Sequence, residues 1–138
     1  MRVVLDVNIL ASASISPDRT PWRVVQAAFR QDVLLFVSTP MLQTLDIVLG
    51  RPYFAARLTS EERDGFLASI RGAARRRRPD ESVRGIAPDA EDDLVLGTAV
   101  AANAEYLVTG DKGLLAIGAY RGVRIVTAED FLRMLEQA

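Results

Sequence analysis

Four short runs constrain this chain more than anything else in it. "RVVLDV" (Arg2–Val7), "DVLLFVS" (Asp32–Ser38), "EYLVTGD" (Glu105–Asp111) and "GVRIVT" (Gly122–Thr127) are apolar almost without interruption and rich in β-branched residues. A strand with one wet face alternates polar and apolar residues; one covered on both faces does not. Helical signals separate the runs. "NILASAS" follows the first, and Thr20 with Pro21 opens a segment in which Trp22, Val25 and Phe29 recur at helical spacing, as core residues would. Pro40 starts "PMLQTLDIVLG", "TSEE" (Thr59–Glu62) is a capping box for a helix running towards "AARRRR", and Pro88 and Asp89 open the apolar helix "AEDDLVLGTAVAANA". A small helix at "KGLLAIG" and a last one capped by Thr127 complete the series, with "PDESVRGIAP" as loop. Buried strands alternating with helices predict an α/β fold, a parallel sheet covered on both faces, in one domain over residues 1–138.

In such sheets ligands bind beyond the carboxyl ends of the strands. Asp6 ends the first run, Ser38 and Thr39 the second, and Thr109, Gly110 and Asp111 the third. Asp89, Asp92 and Asp93 open the helix that feeds that third run. Taken singly, Asp89 and Asp111 read better as helix caps than as site residues. Asp6 does not, because an acid closing a buried strand needs a partner. Three segments thus send carboxylates towards one sheet edge, where they repel one another unless a cation or a shared proton compensates.

Composition limits what that compensation is. There is no histidine and no cysteine, which excludes thiolate catalysis, Ser-His-Asp triads and zinc–thiolate sites. An oxygen-ligated hard cation, Mg²⁺ or Mn²⁺, remains. The net charge is only -1, but Lys112 is the sole lysine and the other cations are arginines, with their planar phosphate-matching donors. Four of them, Arg75, Arg76, Arg77 and Arg78, run together; they read either as a solvated helix end or as contacts to a phosphate backbone. Arg51 and Arg84 are weaker candidates for the same rim. Met1 and Arg2 lead straight into a strand with no signal-peptide pattern, and no apolar run is long enough to span a bilayer; the expectation is a cytoplasmic protein with no membrane contact.

"VVLDVNILASA", "DAEDDLVLGTAVAANAEYLVTGDKGLL" and the "S…L…VLGRP" segment from Ser38 to Pro52 together resemble the PIN domain, above all the VapC-like ribonuclease toxins of bacterial and archaeal toxin–antitoxin systems. The resemblance implies a three-layer α/β/α sandwich around a parallel sheet. It also implies about four acids holding Mg²⁺ or Mn²⁺ and hydrolysis of single-stranded RNA by activated water. Asp6 matches the first acid and Asn8 the polar residue two places on. Asp92 matches the third acid, Asp111 the fourth, and Ser38 the hydroxyl after the second strand; Thr109 stands beside Asp111 in "VTGD". The second acid, usually a glutamate in the helix after Ser38, is here Thr44. Asp46 lies two residues further, about 200° around a helix, and points elsewhere. Asp89 and Asp93 are then possible auxiliary acids.

Such toxins typically dimerise and are silenced by an antitoxin that wraps over the site, so a homodimer and a cognate antitoxin are expected partners, with Trp22 and Phe29, if they are not core, as contributors to such an interface. Two functions stay open: a metal-dependent endoribonuclease weakened at Thr44, or a catalytically degenerate PIN domain that binds RNA or antitoxin. Phosphoryl transfer on an aspartate, as in haloacid-dehalogenase-like enzymes, also places an acid after the first strand. It needs a second acid where this chain has Asn8.

Overall fold

The computed structural model describes residues 1–137. In chain order the elements are β1 (Arg2–Leu5), α1 (Val7–Ser14), α2 (Thr20–Ala28), β2 (Leu34–Val37), α3 (Thr39–Leu49), α4 (Pro52–Ala55), α5 (Ser60–Ala73), β3 (Arg75–Arg76), α6 (Ala90–Ala101), β4 (Tyr106–Val108), α7 (Lys112–Ile117), β5 (Ala119–Tyr120), β6 (Val123–Val126) and α8 (Ala128–Gln137). One sheet runs in the order β3-β2-β1-β4-β6-β5, parallel except for the β5–β6 pair. The expected parallel sheet is present, with the four apolar runs as its inner strands. Val3, Val4, Leu5, Phe36, Leu107 and Val108 are essentially solvent-free, as strands covered on both faces must be.

The short edge strands are invisible to an apolar pattern. β3 is two arginines and β5 is "AY"; each is a strand because a neighbour's free backbone edge recruits it. The arginine run is therefore not the tail of a helix. α5 ends at Ala73, and Arg75 and Arg76 pair with Phe36 and Val37. The loop after them is held to α6, where the Asp80 N–H donates to the Gly97 carbonyl at 3.0 Å. A Cβ on Gly97 would stand 2.9 Å from the Asp80 carbonyl oxygen, so only glycine allows this approach. Gly97→Ala is expected to lower stability by about 1–3 kcal/mol, read as a smaller urea midpoint.

Of the α2 residues read as core, Val25 is buried and Trp22 packs partly against the core, but Phe29 is 43% exposed. Phe29 follows the last turn of α2, where the chain leaves the helix and the helical spacing no longer fixes its direction. Among the described residues no helix is long and apolar enough to cross a membrane.

Candidate metal centre at the strand ends

β1 sits at the middle of the sheet, with β2 on one side and β4 on the other. The chain therefore reverses its direction of winding at β1, the kind of switch point where a crevice opens beyond the strand ends. The register pairs Leu5 with Val108, which sets the next residues, Asp6 and Thr109, side by side. The Asp6 N–H donates to the Val108 carbonyl at 2.9 Å, and the Thr109 hydroxyl donates to an Asp6 carboxylate oxygen at 2.6 Å. That same hydroxyl oxygen accepts the Asp111 N–H at 3.0 Å, so its own proton is left for Asp6. Asp6 is only 4% exposed. The carboxylate has a fixed partner and a fixed direction.

Asp6 and Asp92 line one cavity of about 140 Å³, together with Asn8, Thr44, Arg51 and Glu91. Thr44 comes from the middle of α3 and stands on the cavity wall. Asp46 points away, bonded to Arg63 of α5. Asp111 caps α7, accepting the Leu114 N–H at 2.9 Å, and its charge acts on both of the other acids. Burial pushes the Asp6 carboxyl above its ordinary range; the Thr109 hydroxyl opposes this and the Asp111 charge adds to it. Asp92 is pushed up to about 6 by burial and then by the charges of Asp111, Asp6 and Asp89. The three acids from separate segments do interact.

The other named residues are placed as follows. Ser38 lies off the cavity and is fully buried; its hydroxyl is 2.9 Å from that of Thr98, tying the start of α3 to α6. Asp89 is exposed and caps α6 through the Glu91 N–H. As an auxiliary acid Asp93 needs correction. Its two oxygens accept the N–H groups of Gly85, Ile86 and Ala87 at 2.7, 3.1 and 2.7 Å, and the Ala87, Gly85 and Ile86 donors hold its carboxyl below the ordinary range. Asp93 organises the loop entering α6. Asp93→Ala removes those acceptors, and since the donors lie at or near the surface an unfolding free energy lower by about 1 kcal/mol is expected in urea titration. Glu91, which the sequence reading did not single out, faces the cavity beside Asp92. Its one signal was adjacency to Asp92 at the helix start.

The donor chemistry fits a hard divalent cation. The cavity offers the Asp6 and Asp92 carboxylates, the Asn8 amide and the Thr44 hydroxyl, with Asp111 coupled to both acids. Among the described residues no group of three acids is placed to hold a metal ion by itself, so a cation in this cavity would rest on the Asp6 and Asp92 carboxylates with neutral donors and water. That arrangement suits Mg²⁺ or Mn²⁺, which bind through one or two carboxylates and keep several waters.

The raised Asp92 has a consequence for stability without metal. Its carboxyl titrates at 3.8 when unconstrained and at about 6 when folded. Between those values the folded state holds the extra proton, so stability declines as pH rises through the window and the decline is complete above it. Asp92→Asn removes the titration. In chelator, its unfolding temperature should gain on the natural chain from pH 4 to pH 6.5 and stay ahead above that.

A family model described as PIN domain matches residues 2–113. Two solved structures share the fold. VapBC2 from Rickettsia felis, bound to a DNA fragment from their promoter, aligns with a TM-score of 0.64 at 16% identity over 92% of this chain and 98% of that one. FitAcB from Neisseria gonorrhoeae aligns with a TM-score of 0.57, at the same identity and coverage. Among curated proteins none matches the chain. With the family's model spanning most of its length and the sheet order and strand-end acids in place, the chain belongs to the PIN domain family.

Proposed function

We propose that this PIN domain is a Mg²⁺- or Mn²⁺-dependent endoribonuclease that hydrolyses phosphodiesters of single-stranded RNA, the toxin of a toxin–antitoxin pair. A cytoplasmic homodimer and a cognate antitoxin belong to the same reading. The observation that carries it is the placing of Asp6, Asp92 and Asp111 at the central strand ends, where the Asp111 charge raises the cost of ionising both others and Asp6 that of Asp92. A cation bound there supplies charge stabilisation to the reacting phosphodiester and lowers the pKa of water.

The chain's own residues set the rest. Thr109 holds Asp6 in one orientation, and the Asp111 N–H directs the Thr109 proton. The Ser38–Thr98 contact fixes the helix bearing Thr44 against the helix bearing Asp92. Arg51, on the cavity wall, gives an approaching phosphate a positive contact.

Thr44 on that wall favours a second reading, a degenerate PIN domain that binds RNA or antitoxin without cutting. Incubation with an end-labelled unstructured RNA decides between them. The nuclease reading expects cleavage with Mn²⁺ and none with chelator. An intact strand under both conditions, with the RNA still bound, supports the binding module.

A further inference from the structure

A groove of about 1000 Å³ lies along the sheet edge beside the acidic cavity. Thr39, Arg76, Arg77, Arg78, Glu81 and Leu94 line it. Leu94 lines the acidic cavity as well, so the two depressions meet at that side chain. We propose that this groove carries the phosphodiester backbone of a single-stranded RNA away from the acids, with Arg76 and Arg78 as its phosphate contacts. The proposal rests on the nuclease reading above, since it places the reacting phosphate at Asp6 and Asp92.

Four adjacent guanidiniums repel one another, and a solvated run of this kind is ordinarily mobile or paired with acids. This run is neither. Its backbone is a strand: Arg75 and Arg76 pair with Phe36 and Val37, and the Arg77 N–H donates to the Val37 carbonyl at 3.1 Å. The Arg77 guanidinium lies over the Phe36 ring at 4.9 Å, and an Arg76 nitrogen stands 3.5 Å from the Thr39 hydroxyl. Among the described residues the ion pairs are made by Arg23, Arg30, Arg63 and Arg133, and none by residues 75–78. The Arg76 and Arg77 side chains are held in place, and none of the four arginines has a carboxylate partner among the described residues.

Position argues for nucleic acid. The hydrogen bond from Asp80 to Gly97 anchors the end of the run to α6, the helix that carries Asp92. Groove and acids are therefore parts of one rigid frame. An RNA strand needs both: a hard-cation site for one phosphate and arginine forks for the next ones. An acidic peptide needs only the arginines, and it would meet Glu81 in the groove and Asp6, Glu91 and Asp92 beyond Leu94.

Arg75 supplies an internal control. It is exposed and carries the same charge in the same run, but it does not line the groove. Binding of a fluorescein-labelled twelve-nucleotide oligouridylate, followed by anisotropy in chelator, separates place from net charge. One phosphate contact to a single strand contributes a slope of about 0.7 in log affinity against log salt, which is about fivefold at 0.1 M salt. Arg76→Ala and Arg78→Ala are each expected to lose about that factor and that slope. Arg75→Ala should keep both, and all three should unfold at the natural temperature.

An Arg75→Ala loss equal to that of Arg78→Ala overturns the groove assignment, because net charge alone would explain the binding. So does an absence of oligouridylate binding, or a decaglutamate peptide that binds through Arg78 where the RNA does not. Arg78-dependent RNA binding without Mn²⁺-dependent cleavage keeps the groove and overturns the nuclease reading.

Discussion

Asp6→Asn is expected to abolish cleavage while leaving the metal-free protein as stable as before or more so. The two effects have opposite causes. In the cation-loaded protein Asp6 is the most enclosed negative charge facing the cavity, and losing a charge-stabilising ligand costs several kcal/mol in the transition state, roughly 10²–10³ in rate. Without metal that same charge is a burden. Burial holds the Asp6 carboxyl above its ordinary range, so at neutral pH an ionised Asp6 subtracts from stability and a neutral isostere removes the subtraction. Asparagine keeps an oxygen for the Thr109 hydroxyl, which sits 2.6 Å away in the natural chain. The unfolding temperature in chelator should therefore hold or rise, and the rise that Mn²⁺ produces in the natural chain should vanish. A variant that loses both activity and metal-free stability would point to a structural role for Asp6 alone.

Thr44→Glu is expected to act in the other direction. Thr44 stands on the cavity wall with Asp6, Asp92 and Glu91, so a carboxylate there adds one more negative charge within reach of the same ion. Affinity for a hard cation rises with ligand charge, by about tenfold or more for one added carboxylate. The metal-free protein should suffer: another charge near Asp92 raises the cost of ionising it, about 1–2 kcal/mol at neutral pH. The measurement is paired, Mn²⁺ affinity by calorimetry and unfolding temperature in chelator. A stronger site with a weaker empty protein is the expected signature. If the natural chain is inert and Thr44→Glu cuts RNA, the natural site is degenerate.

The inner sheet was legible because burial on both faces leaves a run of apolar residues, and Asp6 and Asp111 were legible because each stands at the carboxyl end of such a run. Asp46 could be set aside from helical geometry alone, and it is turned to Arg63. What was not legible depends on partners distant in sequence. β3 and β5 are strands by pairing, not by pattern. Asp92 and Asp93 are chemically identical neighbours, and only the loop at Gly85–Ala87, folded back on α6, decides that Asp93 turns to backbone donors. Ser38 stands where a site residue was expected, but its hydroxyl is sealed against Thr98. Phe29 left the core because the helix ends before it.

On our proposal three carboxylates, from β1's end, α6 and β4's end, act on one divalent cation although Thr44 offers no further charge. Calorimetric titration of Mn²⁺ into the natural chain at pH 7.5 tests it most directly. Saturable binding that disappears in both Asp6→Asn and Asp111→Asn is the expected result. Heat that never saturates in the natural chain, or binding that survives in both variants, would contradict it.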